Sequence, residues 1–233
     1  IKHDVRADLS PELQRALMTK EEIDALHKAT RQDVAFGNLT NGITGISRAM
    51  MRLTKLEQFF IANAPITSEQ FFVDVDEESP YYDEQESWSW ANFEYLMDVE
   101  IYNCPNLDKL PLEFITGLPK LQSLNVAMNY GISGEQLKSD WEAIIDGDSG
   151  DDIQILYLSF NNLKETPSHD YLKRMTRISY LDCTTNKLEI VHSFGKEISP
   201  ATIMFDYNNI HTITVEDGDY YCGMSMLETF SCS

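Results

Sequence analysis

The sequence predicts an α/β fold of the solenoid kind. A curved parallel β-sheet forms the concave face, short helices and irregular segments form the convex face, and a small helical cap covers the N-terminal end. Three observations predict it. An apolar frame returns along most of the chain, one position of that frame is repeatedly asparagine, and return segments such as residues 135–146 carry helical spacing.

The frame is clearest in Leu156-x-Leu158-x-x-Asn161-x-Leu163. It returns as Leu181-x-Cys183-x-x-Asn186-x-Leu188 and as Ile203-x-Phe205-x-x-Asn208-x-Ile210. The pattern L-x-L-x-x-N-x-L is the leucine-rich-repeat signature. Each unit is one strand, one turn and a return segment; it cannot bury its apolar side alone and must stack on its neighbours. The second apolar residue of each strand marks the units as Ile61, Ile101, Val126, Leu158, Cys183, Phe205 and Cys232, at spacings of 40, 25, 32, 25, 22 and 27 residues. A simple repeat of about 20–29 residues accounts for four of these six spacings, and the two long ones carry insertions. Asn129, Asn161, Asn186 and Asn208 share one column, where an amide that both donates and accepts can satisfy the inward backbone groups of the turn. Cys104 takes that position in one unit and Ala64 in another. The frame lengthens by one residue between Cys104 and Leu107 and between Asn129 and Ile132.

Along the chain, residues 1–33 read as the helical cap and residues 34–233 as the repeat domain. Ser10, Pro11 and Glu12 open a helix continued by Leu13 and Leu17, and Thr19 with Glu22 opens a second containing Ile23 and Leu26. A degenerate unit is expected over residues 36–46, with Asn38 at a position that should be apolar. The 40-residue interval carries Asp74, Asp76, Glu77 and Glu78 around Pro80, Tyr81 and Tyr82, followed by Trp88 and Trp90. These aromatics are read as pinning the insertion to the solenoid flank, with a binding edge as the alternative. Pro111 to Gly117 reads as one or two helical turns, and Leu137, Trp141, Ile144 and Ile145 give helical spacing over residues 135–146. Ser168 is an N-cap candidate for a helix over residues 168–175. The chain stops at Ser233 inside a strand-like repeat without the polar closing cap that solenoids need, so a further C-terminal portion is expected.

The 233 residues, 42% of them hydrophobic, suffice for one sizeable core. A formal net charge of −20 argues against nucleic acid and anionic membranes as partners. No apolar run reaches the ~18 residues a transmembrane segment needs. Of the four cysteines, Cys104, Cys183 and Cys232 occupy core repeat positions and Cys222 does not. Cys183 and Cys232 lie two units apart, about 10 Å at strand spacing, beyond the ~7 Å that a disulfide spans between Cα atoms. They are read as apolar filler.

Little in the chain points to catalysis. The loop 146–152 gathers Asp146, Asp148, Asp151 and Asp152 among glycines, which suits calcium chemistry, yet the helix–loop–helix calcium pattern fails because Asp151 stands where Gly belongs and Tyr157 where Glu belongs. His3, His27, His169, His192 and His211 form no metal-binding pair, and no nucleophile elbow or phosphate loop occurs. No cofactor is expected. The strand face is the better candidate. If the L-x-L residues point inward, the residues between them point outward as Phe60, Glu100, Asn125, Tyr157, Asp182 and Met204. Tyr180 precedes this column; Ala62, Tyr102, Ala127, Ser159, Thr184 and Asp206 follow it; Phe160 and Tyr207 sit at the rim of the turn. The predicted ligand-binding set is Phe60, Tyr102, Tyr157, Phe160, Tyr180, Asp182, Met204, Asp206 and Tyr207, with stacking along the sheet as the competing reason for the aromatics.

Four stretches carry a resemblance: residues 53–66, 101–107, 118–126 and 181–188. Through them the chain from about Phe36 onward resembles secreted or cell-surface leucine-rich-repeat proteins of gut Bacteroidetes. The resemblance implies a non-enzymatic protein in an extracellular or cell-surface setting, with a lipid anchor upstream of Ile1 as a possibility. It carries over no catalytic residue. The expected function is a recognition module binding a protein, peptide or glycan through the concave face. The alternatives are a structural spacer of a larger surface protein, and a hydrolase or metal-dependent protein using loop 146–152.

Overall fold

The computed structural model describes residues 2–4, 32–36, 45–77, 79, 81–195, 198–214 and 229–232. Among them nine strands join side by side in one parallel sheet: β1 (Lys2–Asp4), β2 (Gln32–Phe36), β3 (Leu56–Ala62), β4 (Asp98–Tyr102), β5 (Ser123–Asn125), β6 (Ile155–Tyr157), β7 (Tyr180–Asp182), β9 (Thr202–Met204) and β11 (Thr229–Ser231). A second, two-stranded parallel sheet, β8 (Ile190–His192) with β10 (Thr212–Thr214), forms on the return side. The strand order follows the chain because every unit returns to the same edge and starts one strand further on.

The repeat frame explains the core. Leu124, Leu156, Leu181 and Ile203 at the strand centres are buried, as are the markers Ile61, Ile101, Val126, Leu158, Cys183 and Phe205. Leu163 and Leu188 close their units from below, as the frame predicts, and Leu107 and Ile132 stay buried despite the extra residue before them. That extra residue is absorbed at the surface, where Gly131 is exposed yet has no room for a side chain. A Cβ there would lie 2.4 Å from the Leu107 carbonyl oxygen and 2.6 Å from that of Pro105. Close approach to the preceding unit, rather than turn conformation, therefore requires glycine.

The return segments hold α1 (Leu112–Thr116), α2 (Gly134–Asp146) and α3 (His169–Leu172). Helix α2 buries Leu137, Trp141, Ile144 and Ile145, and Ser133 caps it by accepting from the Gln136 amide at 3.2 Å. Within the helix Asp140, four residues after Gln136, is fully buried and accepts from the Leu110 amide at 2.9 Å and from Gln136 Nε2 at 2.7 Å. Ser168 stands at the N-cap of α3 but makes no side-chain cap bond.

The 40-residue interval is pinned to the stack by its aromatics. The Phe72 ring lies 4.6 Å from that of Trp90 and 4.7 Å from that of Phe114, and Phe71, Val75, Tyr81, Trp90 and Phe93 are buried. The Arg52 guanidinium sits 4.2 Å over the Tyr81 ring and pairs with Glu84 at 3.6 Å.

The unit expected over residues 36–46 takes a different frame. Val34 and Phe36 pair with Phe59 and Ile61, so the marker is Phe36 rather than Asn38. Only that register gives the strand an apolar pair opposite its neighbour's. Strand β2 spans the 33/34 boundary read from the sequence, and β1 lies within the stretch assigned to the cap. The helices expected over residues 10–26 lie outside the described residues, as does Cys222.

Candidate functional site

The outward column is continuous. Phe60 pairs in register with Glu100, Glu100 with Asn125, Asn125 with Tyr157, Tyr157 with Asp182, Asp182 with Met204, and Met204 with Ser231. A second row, one pleat earlier, runs Gln58, Asp98, Ser123, Ile155, Tyr180, Thr202 and Thr229. Every predicted ligand-binding side chain lies on these rows, on the row after them or at the rim.

The centre of the face is aromatic. The Tyr157 and Tyr180 rings lie 5.0 Å apart at 45°, and the Tyr180 hydroxyl donates to Met204 Sδ at 3.3 Å. Burial raises the Tyr180 pKa, with Asp182 and then Tyr157 adding to it, so the phenol stays a neutral donor. Both ends are acidic. Burial, then the nearby Asp98 charge, raises the Glu100 pKa, opposed by the Asn125 amide donating at 3.4 Å. Asp182 accepts from the Thr184 amide at 2.9 Å, and Asp206 accepts from the Ser231 hydroxyl.

The row after the column is partly closed. Tyr102, Thr184 and Asp206 are half-exposed, but Ala62, Ala127 and Ser159 are buried, contrary to the outward position expected for them. The chain turns there, and these small side chains fit beneath the turn. The turn itself is marked two residues beyond each marker from Ile61 to Phe205, where Asn63, Asn103, Met128, Phe160, Thr185 and Tyr207 all have φ between 51° and 61°. Only the two asparagines are residues that favour this left-handed region. It lifts Phe160 and Tyr207 into solvent, with Tyr207 74% and Phe160 42% exposed.

Beneath the turns the asparagine column links successive units. Asn161 accepts from the Asn129 amide at 2.8 Å and donates to Val126 at 3.0 Å and Leu158 at 2.9 Å. Asn129, Asn186 and Asn208 repeat the scheme, each taking one amide of the preceding unit and carbonyls of both units. The column fixes the pitch at which the outward side chains are presented.

The other candidate groups make contacts between successive units. In loop 146–152, Arg174 binds Asp146 and the Ile145 carbonyl, and Arg177 binds Asp152 at 2.9 Å. Two arginines of the next unit thus hold two of the four carboxylates of this loop, with Asp151 3.9 Å from Arg174, and among the described residues no group of three metal-capable side chains forms. On the return side His192 bridges Glu165 (Nε2, 2.7 Å) and Thr214 (Nδ1, 2.7 Å), and Lys138 pairs with Glu165 at 3.0 Å, a clasp across successive units. Cys104 and Cys183 are buried free thiols; burial pushes Cys104 up to about 11 and Cys183 well above its ordinary value, so neither is reactive. Cys232, expected in the core, is exposed because β11 is the last described strand and no described unit covers it.

Sequence reasoning passed over Asp98, Ile155 and the left-handed conformation of the rim, although it placed Phe160 and Tyr207 there. Asp98 and Ile155 are legible two residues before Glu100 and Tyr157 on their strands. The rim residues share a constant offset from the marker but no residue type.

Solved structures match this geometry. A leucine-rich repeat protein from Bacteroides thetaiotaomicron is 41% identical, with a TM-score of 0.70, over 81% of this chain and 22% of its own. A leucine-rich repeat protein from Bacteroides eggerthii is 39% identical, with a TM-score of 0.72, over 89% of this chain and 35% of its own. This chain therefore spans a minor part of either protein's length. InlP of Listeria monocytogenes, 16% identical with a TM-score of 0.52 over 98% of this chain and 65% of its own, shares the fold alone. No protein-family profile matches the chain, and no curated protein does.

Proposed function

Because this chain belongs to the leucine-rich-repeat proteins, a fold suited to protein interaction, we propose that it is a non-enzymatic recognition module acting through its strand face. The ligand is a protein, peptide or glycan, and the setting is extracellular or at the cell surface, in keeping with the resemblance to Bacteroides proteins. Among the described residues no helix is long and apolar enough to cross a membrane.

The observation that carries the reading is the half-exposed Tyr157–Tyr180 ring pair at the centre of an in-register outward row. Tyrosines presented on a rigid sheet lose little conformational freedom on binding and are typical anchors. The inward Leu156 and Leu181 of the same strands are fully buried and supply core burial that does not involve the ring pair. Replacing Tyr157 by Ala should weaken ligand binding by about 2 kcal/mol, roughly 30-fold, while the melting temperature stays nearly unchanged. A large loss of stability with intact affinity would mean that the ring pair serves the sheet and not a ligand.

A further inference from the structure

From β3 to β11 the two outward rows and the row after them contain four carboxylates, Asp98, Glu100, Asp182 and Asp206, and among the described residues no lysine, arginine or histidine. On β2 and β1 the rows continue through Asp33 and Ala35 to Lys2 and Asp4, so the nearest cation in register with Asp98 is three strands away. Elsewhere the described acids of this chain often meet cations. Asp146 and Asp152 are held by arginines, and Glu165 by Lys138 and His192. On the strand face Asp98 and Glu100 instead stand two residues apart on one side of β4, and among the described residues their side chains accept from the amides of Gln58 (3.5 Å) and Asn125 (3.4 Å) and from no cation. Two like charges left together on a half-buried surface raise the energy of the fold. A partner that brings positive charge removes that cost and gains more than it would on a neutral face.

The geometry points to an extended segment of a basic protein as the occupant, with a lysine or arginine seated at Phe60, Asp98, Glu100 and Tyr102 and an apolar side chain against Tyr157 and Tyr180. This rests on the reading of the strand face as the binding surface and names the chemistry of its ligand. Phe60 neighbours Glu100 across the ladder, and Asp98 and Tyr102 flank it along β4, about 7 Å to either side. Two carboxylates with two aromatic rings suit a cation with an alkyl stem, since the charge meets the acids and the ring faces while the stem lies on apolar surface. Tyr157 is two strands further along the row, about 10 Å away. An extended peptide covers that distance in about three residues. The complementary segment therefore places an apolar residue three positions from a basic one. Asp182, one strand beyond Tyr157, favours a second basic residue after it.

The test uses the full chain and immobilised unstructured peptides of equal length and apolar content, in basic, neutral and acidic versions. Basic members should bind and the others should not. Raising salt from roughly 50 mM to roughly 500 mM should weaken binding to the native chain at least tenfold. The Asp98→Asn/Glu100→Gln variant should lose at least tenfold in affinity while melting no lower than the native chain, an outcome that a purely structural role for these acids does not give. Equal binding of neutral or acidic peptides, absence of binding by basic ones, or salt-independent affinity would overturn the assignment; the salt titration needs no variant. A neutral ligand or glycan lost by Tyr157→Ala but not by the charge variant would leave the strand face as the binding surface and remove only its preference for cations. A ligand indifferent to both variants would remove both.

Discussion

Asn161 shows how much a single side chain carries in a stack of this kind. Its amide closes bonds in two units at once, and at 5% exposure no water replaces them. Asn161→Ala should cost about 3 kcal/mol, the penalty for leaving the Asn129 amide and two carbonyls buried without partners, read by urea denaturation; a cost below about 1 kcal/mol would show that the column is dispensable. Glu100 works the other way. Its pKa is raised above the ordinary 4.5, chiefly by burial, so its ionised form opposes folding at neutral pH, and that penalty disappears as pH falls through the raised value toward 4.5. Glu100→Gln should therefore melt higher than the native chain at pH 7, and the gap should close below the ordinary value of 4.5. A gap of constant size across that range would contradict the assignment. Glu165 has the opposite sign. Its pKa is lowered, first by the His192 bond and then by Lys138, so its contribution is present above the ordinary 4.5 and is lost as pH falls through the lowered value. For that reason the difference between variant and native chain, rather than either curve alone, reports on Glu100.

Legibility divides sharply among the elements. The strand units, the marker residues, helix α2 and the asparagine column were all readable because burial imposes a fixed period on apolar residues, and a turn with inward backbone groups demands an amide. The unit at Gln32–Phe36 was misread by two residues because its apolar pair, Val34 and Phe36, has no asparagine following at the proper offset. Asp140 was invisible: it is one of 38 acidic residues, and only the packing of α2 against the Leu110 amide singles it out. Loop 146–152 offered a metal-dependent alternative, despite its failed calcium pattern, because sequence shows the carboxylates together and the arginines apart. Arg174 and Arg177 lie more than twenty residues on, in the next unit, yet meet those carboxylates in the fold. Arg174→Ala should free the loop, raising amide exchange across residues 146–152 while costing about 1 kcal/mol of global stability. Unchanged exchange there would mean that α2 and the buried Ser149 hold the loop without it.

At the scale of the whole molecule, the repeats turn a local pattern into an extended face. Each unit contributes one or two outward side chains, and the parallel ladder aligns them in rows that no single unit could form. The column from Phe60 to Met204 was legible because strand alternation and a constant repeat frame determine which residues face out. The buried Ala62, Ala127 and Ser159 were not, because the point at which a strand becomes a turn depends on the left-handed residues two places beyond the marker, which share no side-chain type. The repeat frame does not encode the ligand's identity; in our proposal the tyrosine pair and the adjacent Asp98 and Glu100 restrict it. The most direct measurement is a binding screen of the native chain and a Tyr157→Ala/Tyr180→Ala variant against extracellular proteins, peptides and glycans, with melting temperatures taken on both. The account predicts a ligand held by the native chain and lost by an equally stable variant. A ligand held equally by both would contradict it and move recognition away from the strand face.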